Sequence, residues 1–159
     1  MTELIVDRDK IAHNVKLMCK TAGHTAVIGV VKGNGYGLGL CTFARTLTAC
    51  GIGTLAVSSL EEALALRDDG ITCNILLLTP LYDANEIQTA MCRQLILSIS
   101  SEQCGAAAEK AAAELGMFVQ AHLCVDTGLG RYGFQAAAAE AAVFLQKAQG
   151  GAQVVRRLR

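Results

Sequence analysis

The sequence lacks an excess of charge of either sign and lacks any long block of like charges. Its 14 Lys and Arg residues balance 14 Asp and Glu residues, and both signs are scattered along the chain. Nucleic acids and anionic membranes select proteins through concentrated positive charge, which is missing here. We therefore expect a small molecule as the partner, and neither nucleic acid nor a membrane.

Long apolar runs and a secretory leader are also missing. No stretch approaches the length of a membrane-spanning helix, and the first residues do not combine a basic segment with a short apolar core. We expect a soluble, non-secreted, cytoplasmic protein.

Paired cysteine spacing is the third absence. The cysteines are odd in number, never form C-x-x-C and lie far apart, at Cys19, Cys41, Cys50, Cys73, Cys92, Cys104 and Cys124. Without such spacing, neither a zinc site nor a disulfide framework is supported. We predict no metal site and mostly buried free thiols.

What the chain does contain is an alternation of short apolar runs with longer segments of helical character. Hydrophobic residues make up 52% of the sequence, enough for a buried core in one domain. Several runs are continuously apolar, as strands covered on both faces are. Strands are predicted at residues 4–6, 26–31, 54–57, 74–78, 95–99 and 118–125.

Helices are predicted between these strands. Their candidate N-caps share a short polar side chain and are Asp7, Ser58 or Ser59, and Ser100 or Ser101. The corresponding helices run to about Cys19, over residues 60–67, and to Gly116. A further helix is predicted in AAAAEAAVFLQKAQGG, with Gly150 at its close.

The spacing of the strands indicates an α/β fold with a parallel sheet. From the second strand onward the interval is roughly 20 to 27 residues, which suits strand-helix-strand units with right-handed crossovers. A doubly wound sheet and a TIM-type (β/α)8 barrel both fit, and both bind ligands at the carboxyl ends of strands, where Lys32 and Asp126 fall. A complete barrel needs about 250 residues. If the fold is the barrel, it is a partial one, with about five of eight βα units present.

Two glycine-rich stretches are candidate phosphate loops. In VVKGNGYGLG (residues 30–39) the lysine precedes the glycines, so this stretch is not a P-loop. GLGRYG (residues 128–133) matches G-x-G-x-x-G, after a predicted strand and before a predicted helix. The acidic ribose ligand expected about 20 residues later is missing. A dinucleotide site stays open as an alternative. It would be supported if the chain binds NAD and if Gly130→Ala abolishes that binding.

Lys32 ends an apolar strand, where a charged amine is costly unless it is used or neutralised. A desolvated lysine is the nucleophile that forms Schiff bases with carbonyl cofactors. The alternative is that its side chain extends past the strand end into solvent. The surrounding residues decide between these readings.

Those residues resemble the alanine racemase family, pyridoxal-phosphate enzymes of fold type III. VVKGNGYGLG resembles the V-V-K-A-[ND]-A-Y-G-H-G run, and HLCVDTGLGRYGF (residues 122–134) resembles H-L-K-V-D-T-G-M-G-R-x-G-F. LIVDRDKIAHNV resembles the opening of the family, and the likeness extends over about residues 3–148. It implies a barrel domain that binds pyridoxal 5'-phosphate.

The resemblance also implies roles for single residues. Lys32 would be the catalytic lysine, which binds the cofactor as an aldimine and acts as a base on one face of the substrate. Tyr36 would bind the cofactor phosphate and Arg131 its phenolic oxygen, as suits a guanidinium. Asp126 would shape the turn that follows it, and His122 is expected to be an ordinary core histidine.

Three departures from the family pattern affect these expectations. Cys124 stands where many members have a lysine, often carbamylated, that orients the arginine matching Arg131. Gly33 and Gly35 replace alanines, and Leu38 replaces a histidine. We expect a more flexible loop and weaker cofactor binding.

Residues 1–159 are expected to form a truncated barrel domain, with the carboxy-terminal β domain absent. The resemblance assigns the second base, a tyrosine, to that domain of a partner subunit, so the full-length form is expected to be a homodimer. The tail AQVVRRLR (residues 152–159) does not resemble the strand expected next. Because a partial barrel exposes unpaired strand edges, the isolated chain is expected at best to bind the cofactor.

The function implied is that of an isomerase, a racemase that interconverts L-alanine and D-alanine for cell-wall D-alanine supply. Serine racemisation by the same family is one alternative. A non-catalytic pyridoxal-phosphate carrier on a similar barrel is another. Interconversion of L- and D-amino acids separates the racemase from the carrier.

Overall fold

The computed structural model describes residues 5–135 and the backbone of residues 152–154. Residue 4 and the helix predicted in AAAAEAAVFLQKAQGG lie outside the described residues. The helices are α1 (Arg8–Ala22), α2 (Lys32–Tyr36), α3 (Leu40–Ala49), α4 (Leu60–Asp68), α5 (Ala84–Cys92) and α6 (Glu102–Leu115). The strands are β1 (Ile28–Val30), β2 (Thr54–Val57), β3 (Asn74–Leu77), β4 (Leu97–Ile99), β5 (Val119–Leu123), β6 (Val125–Asp126), β7 (Phe134–Gln135) and β8 (Ala152–Val154).

The main strands are parallel and follow one another in chain order. β1 pairs with β2 and β2 with β3, while β4 pairs with β5 and β5 with β8. A parallel bridge between Leu76 and Ile96 joins the two groups, with the Leu77 N–H donating to the Ile96 carbonyl at 2.9 Å. A doubly wound sheet reverses its strand order at a switch point. No such reversal occurs among the described strands, which confirms the predicted partial TIM-type barrel.

β8 corrects the expectation for the tail. The sequence AQVVRRLR was expected to hold no strand, yet residues 152–154 pair in parallel with β5, Val119 opposite Ala152 and Ala121 opposite Val154. Backbone hydrogen bonds to a formed neighbour are sufficient for so short a strand. Gln153 and the following arginines hide it, because they break the apolar run by which buried strands are recognised.

The sheet separates two apolar layers of different size. Leu55, Val57 and Ile75 belong to the main core, which the strands form with the helices. Ala56 and Leu76 belong to a small cluster on the opposite face, together with Ile96. This alternation follows from the two-residue period of a strand. The inner face, lined by the small cluster, leads to the carboxyl edge of the sheet.

Caps confirm the predicted helix starts and select between the alternatives. Asp7 accepts from the backbone N–H groups of Asp9 and Lys10 at the start of α1. Ser59, not Ser58, caps α4, and Ser101, not Ser100, caps α6. α6 ends at Gly116 in the left-handed conformation, as predicted. α1 continues past Cys19 to Ala22.

The strand predicted at residues 4–6 was wrong where the structure describes it. Ile5 and Val6 belong to no strand, and the Ile5 side chain is 82% exposed. An apolar run becomes a strand only when a neighbouring strand pairs with it. Within the described residues this run pairs with none and leads directly into the cap of α1.

All cysteines are free thiols, as predicted, but most are not buried. Cys104 is buried, Cys92 is exposed and the others are half-buried. In the described part of the chain, no helix has both the length and the apolar character to cross a membrane.

Candidate functional site

Lys32 directly follows β1 at the carboxyl edge of the sheet. The preceding residue, Val31, is fully buried, and its N–H donates to the Ala56 carbonyl at 2.8 Å, which extends the pairing of β1 with β2. Lys32 itself is half-buried. The backbone before Lys32 is thus held by the sheet, and the Lys32 side chain lies at the carboxyl edge.

The turn after Lys32 has left-handed backbone dihedrals. Gly33, Asn34, Gly35 and Tyr36 have φ values of 63°, 55°, 63° and 54°. Left-handed geometry costs about 1–2 kcal/mol for each residue with a side chain, and it is cheap only for glycine and tolerable for asparagine. Tyr36 adopts it nonetheless and is 62% exposed. α2 is therefore a strained turn, and the Tyr36 side chain at its end is exposed to solvent.

Glu62 holds this turn against the end of β2. Its carboxylate accepts from the Asn34 N–H at 3.1 Å, from the Ser58 N–H at 3.1 Å and from the Ser58 hydroxyl at 3.2 Å. Burial raises the pKa of Glu62, but the hydrogen bonds from Asn34, Ser58 and Gly33 outweigh burial and leave the pKa below its ordinary value. Glu62 was not predicted from the sequence, where its only signal was its position in the first turn of a helix.

A second turn, residues 126–133, connects β6 to β7 and is closed by its own first residue. The Asp126 carboxylate accepts from the Gly128 N–H at 2.9 Å and from the Gly130 N–H at 3.1 Å. These backbone hydrogen bonds lower the pKa of Asp126. The prediction that Asp126 shapes the turn is confirmed.

Gly133 ends this turn where the backbone passes close to β6. Its φ is 127°, and a Cβ atom there would lie 2.8 Å from the Asp126 nitrogen and 3.0 Å from the Cys124 oxygen. The next residue, Phe134, donates its N–H to the same Cys124 carbonyl at 2.8 Å. Only a residue without a side chain fits this crossing.

The structure offers little support for the G-x-G-x-x-G reading of residues 128–133. Residues 134–135, which directly follow this stretch, form strand β7. The N–H groups of Gly128 and Gly130 are already bound to Asp126. Phe134 pairs beside Val125, and the helix predicted from residue 136 onward lies outside the described residues.

A cavity of about 340 Å³ opens at this edge of the sheet. Its polar lining comes from the inner face of β4 and β5 and from the second turn, namely Ser98, His122, Cys124, Asp126, Thr127, Arg131 and Tyr132. His122, predicted to be a core residue, is half-buried and lines the cavity instead. Strand alternation explains this position, since His122 and Cys124 are two residues apart and share a face.

Arg131 and Tyr132 form the polar end of the cavity. The Arg131 guanidinium lies over the Tyr132 ring, 4.9 Å from its centroid. The Tyr132 hydroxyl donates to the Leu78 carbonyl at 2.7 Å. Burial raises the pKa of the Cys124 thiol, although Ser98 and Arg131 partly oppose this effect. Cys124 is thus a neutral neighbour of the guanidinium near neutral pH.

The structure brings some of the predicted residues together and separates others. Cys124, Asp126 and Arg131 line one cavity, whereas Lys32 and Tyr36 are not among its lining residues. They lie at the same carboxyl edge but follow β1, which is separated from β5 by β2, β3 and β4. The described residues contain no group of three or more His, Cys, Asp or Glu side chains that could hold a metal ion.

Comparisons with known proteins agree on one family. The model of the alanine racemase N-terminal domain matches residues 6–156. The alanine racemase of Mycobacterium ulcerans is 40% identical over 135 residues, which are 84% of this chain and 34% of that protein. This chain spans about a third of the length of the curated relatives it matches.

Solved structures share the fold. The alanine racemase from D-cycloserine-producing Streptomyces lavendulae superposes with a TM-score of 0.80 at 34% identity, over 94% of this chain and 40% of that one. The histidine racemase from Leuconostoc mesenteroides superposes with a TM-score of 0.82 at 28% identity, over 91% of this chain and 39% of that one.

Proposed function

We propose that this chain, which belongs to the alanine racemase N-terminal domain family, is the pyridoxal-phosphate-binding barrel portion of an amino-acid racemase. The observation that carries the proposal is the position of Lys32 and Arg131 at the carboxyl edge of one parallel sheet, with Arg131 lining an open cavity. Ligand sites of barrel enzymes lie at this edge.

The donor groups at this edge fit the cofactor. A primary amine, that of Lys32, suits an aldehyde, and the Arg131 guanidinium suits an anionic phenolic oxygen. The exposed Tyr36 hydroxyl suits a phosphate oxygen. When bound, pyridoxal phosphate supplies an electron sink for the negative charge left at the α-carbon.

The residues of this chain would hold the cofactor and handle one proton. The Lys32 amine would accept or donate the α-proton on one face of the substrate. Arg131 and Tyr36 would orient the ring and phosphate. One lysine serves one face, so racemisation needs a second base on the other face. The family resemblance assigns that base to a partner subunit.

Alanine is the substrate we propose for the complete protein. The support is that relatives at 38% and 40% identity are alanine racemases. The histidine racemase has the same fold, so assays should include alanine, serine and histidine. Formation of D-alanine from L-alanine, faster than racemisation of the other two, is the expected result. Binding of the cofactor without turnover of any of them would favour the carrier alternative instead.

The proposal is tested on the purified chain by mixing it with pyridoxal phosphate, reducing with borohydride and mapping the adduct by mass. The expected adduct lies on Lys32 and is lost in Lys32→Ala. Lys110→Ala is the matched control, because the Lys110 side chain is 77% exposed on helix α6. Equal labelling of exposed lysines, with no preference for Lys32, would contradict the proposal.

For the isolated chain we propose cofactor binding without racemisation. The complete protein is proposed to be a cytoplasmic homodimer that acts on free amino acids. Measurable interconversion of L- and D-alanine by the 159-residue chain would show that no second subunit or further domain is needed, and this part of the proposal would fail.

A further inference from the structure

We propose that Tyr132 is a positioning residue that holds the Arg131 guanidinium toward the cavity at the carboxyl edge. The inference rests on the proposed function, in which Arg131 meets an anionic oxygen of the cofactor. Arg131 and Tyr132 are consecutive in the turn between β6 and β7, and both line the cavity. The Arg131 guanidinium therefore enters the cavity from an irregular loop, so another residue has to fix its orientation.

Tyr132 is anchored to the sheet rather than to its own loop. Its hydroxyl donates to the Leu78 carbonyl at 2.7 Å, a bond between residues 54 positions apart in sequence. Leu78 in turn donates its N–H to the Val57 carbonyl at 2.8 Å, so the acceptor is held at the ends of β2 and β3. The far end of the tyrosine ring is thus fixed to the most regular part of the fold.

The face of this ring is where the guanidinium rests. The Arg131 Cζ atom lies 4.9 Å from the ring centroid, within the range of a cation–π contact. Within residues 5–135, Arg131 forms no ion pair with an Asp or Glu side chain. The Asp126 carboxylate is used by the backbone of Gly128 and Gly130.

Cys124, which lines the same cavity as Arg131, offers no charge. Cys124 is half-buried in the same cavity, and a neutral thiol accepts hydrogen bonds only weakly. Among the described residues, the Tyr132 ring is therefore the contact that limits the rotation of the Arg131 guanidinium. An arginine held in place before the ligand arrives loses less rotamer freedom on binding than a free one. Tyr132 acts through Arg131 in this way and needs no contact with the cofactor.

The test is the dissociation constant of pyridoxal phosphate, measured by absorbance on the purified chain. Tyr132→Leu removes the hydroxyl and the aromatic face, and we expect binding to weaken about two- to fivefold, as the loss of an exposed cation–π contact predicts. Tyr132→Phe keeps the face but loses the anchor, and a smaller loss is expected. Tyr82→Leu is the matched control, because Tyr82 is 51% exposed and its hydroxyl is also hydrogen-bonded, to Ser100 at 3.1 Å.

A double-mutant cycle separates positioning from a direct or general structural role. In Arg131→Gln, the added Tyr132→Leu change is expected to alter binding less than about 1.5-fold, since contacting residues are non-additive. The same loss in both backgrounds would overturn the proposal. Melting temperatures of all variants show whether each one folds.

A second readout needs no cofactor. The Arg131 side-chain N–H resonance in the ¹H–¹⁵N spectrum should carry a ring-current shift that Tyr132→Leu removes and Tyr82→Leu leaves. If this shift is present while the wild-type chain binds no pyridoxal phosphate, the proposed function fails and the Arg131–Tyr132 arrangement stands. If the resonance is unchanged in Tyr132→Leu, the positioning proposal is overturned whatever the binding data show.

Discussion

The two turns at the carboxyl edge are stabilised in different ways. The turn after β1, which follows Lys32, is tied by the carboxylate of Glu62, 28 residues away on helix α4. The turn after β6, which presents Arg131, is tied by Asp126 within the same turn. Both turns are rich in glycine with positive φ. In both, one carboxylate accepts hydrogen bonds from backbone N–H groups.

This difference has a consequence for folding. The Asp126 cap needs only a few neighbouring residues, so the second turn can form locally. The Glu62 tie requires that β1, β2 and α4 are already packed together. The backbone that follows Lys32 is thus correct only when this part of the barrel is formed, whereas the loop that presents Arg131 depends on the sheet mainly through Tyr132 and Gly133.

The largest effect is expected from Gly133→Ala in the second turn. The new Cβ atom would lie 2.8 Å from the Asp126 nitrogen, a backbone atom that cannot move freely. We expect a loss of about 3 kcal/mol or more in the free energy of unfolding, measured by urea denaturation. Gly128→Ala is the control, because its φ of 120° is also positive but nothing lies within 4 Å of a Cβ there. Equal losses for the two variants would mean that φ, and not the close approach, requires Gly133.

Glu62→Ala should produce the next largest effect, in the first turn. It leaves the Asn34 and Ser58 donors without their carboxylate, which typically costs about 2 kcal/mol for hydrogen bonds to a charged group. Glu61→Ala is the matched control, since Glu61 is the exposed neighbour on the same helix. We also expect Lys32 to react more slowly with pyridoxal phosphate in Glu62→Ala. Unchanged stability together with an unchanged reaction rate would show that the turn keeps its shape without this tie.

The Glu62 carboxylate should also make the stability of the protein depend on pH. The pKa of Glu62 lies below its ordinary value of 4.5 in the folded protein, so its contribution is complete above pH 4.5 and is lost as pH falls through the lower folded value. Glu62→Gln removes this titration. The difference in melting temperature between wild type and Glu62→Gln should therefore shrink as the solution is acidified below pH 4.5. A difference in melting temperature that grows on acidification would contradict a lowered pKa of Glu62 in the folded protein.

Gly35→Ala tests the left-handed turn itself. Alanine at a φ of 63° is strained, and its Cβ atom would lie 3.2 Å from the Phe43 Cβ atom. We expect a loss of about 1–2 kcal/mol in stability. Gly33→Ala shares the φ of 63° with open space around it, so a smaller loss is expected, near the low end of that range. A larger loss at Gly33 than at Gly35 would contradict the packing argument.

The smallest effect is expected from Asp126→Asn. Asparagine keeps an oxygen that can accept from the Gly128 and Gly130 N–H groups and loses only the charge. Asp126 is only partly buried, so solvent screens that charge. A fall in melting temperature smaller than that of Glu62→Gln is expected. A larger fall would mean that the local tie matters more than the long-range one.

Much of the fold follows from local patterns in the sequence. The apolar runs of β2 and β3 and the caps Asp7, Ser59 and Ser101 are recognisable because strand burial and helix capping depend on nearby residues. The run before Asp7 and the tail at β8 were predicted wrongly. In both cases the deciding factor was whether a distant strand offers hydrogen-bond partners, which no local pattern reports.

The candidate site divides in the same way. Lys32, Tyr36 and Arg131 are identifiable as residue types in two motifs, and the Asp126 cap is predictable because it binds its own neighbours. Glu62 and the Tyr132 hydroxyl were not predictable, because Asn34 and Leu78 come near them only through the parallel packing of β1, β2 and β3. The sequence alone specified the chemical groups and the local turns. The tertiary structure decided which carboxylate and which ring support them, since contacts between residues far apart in sequence exist only when the strands are brought side by side.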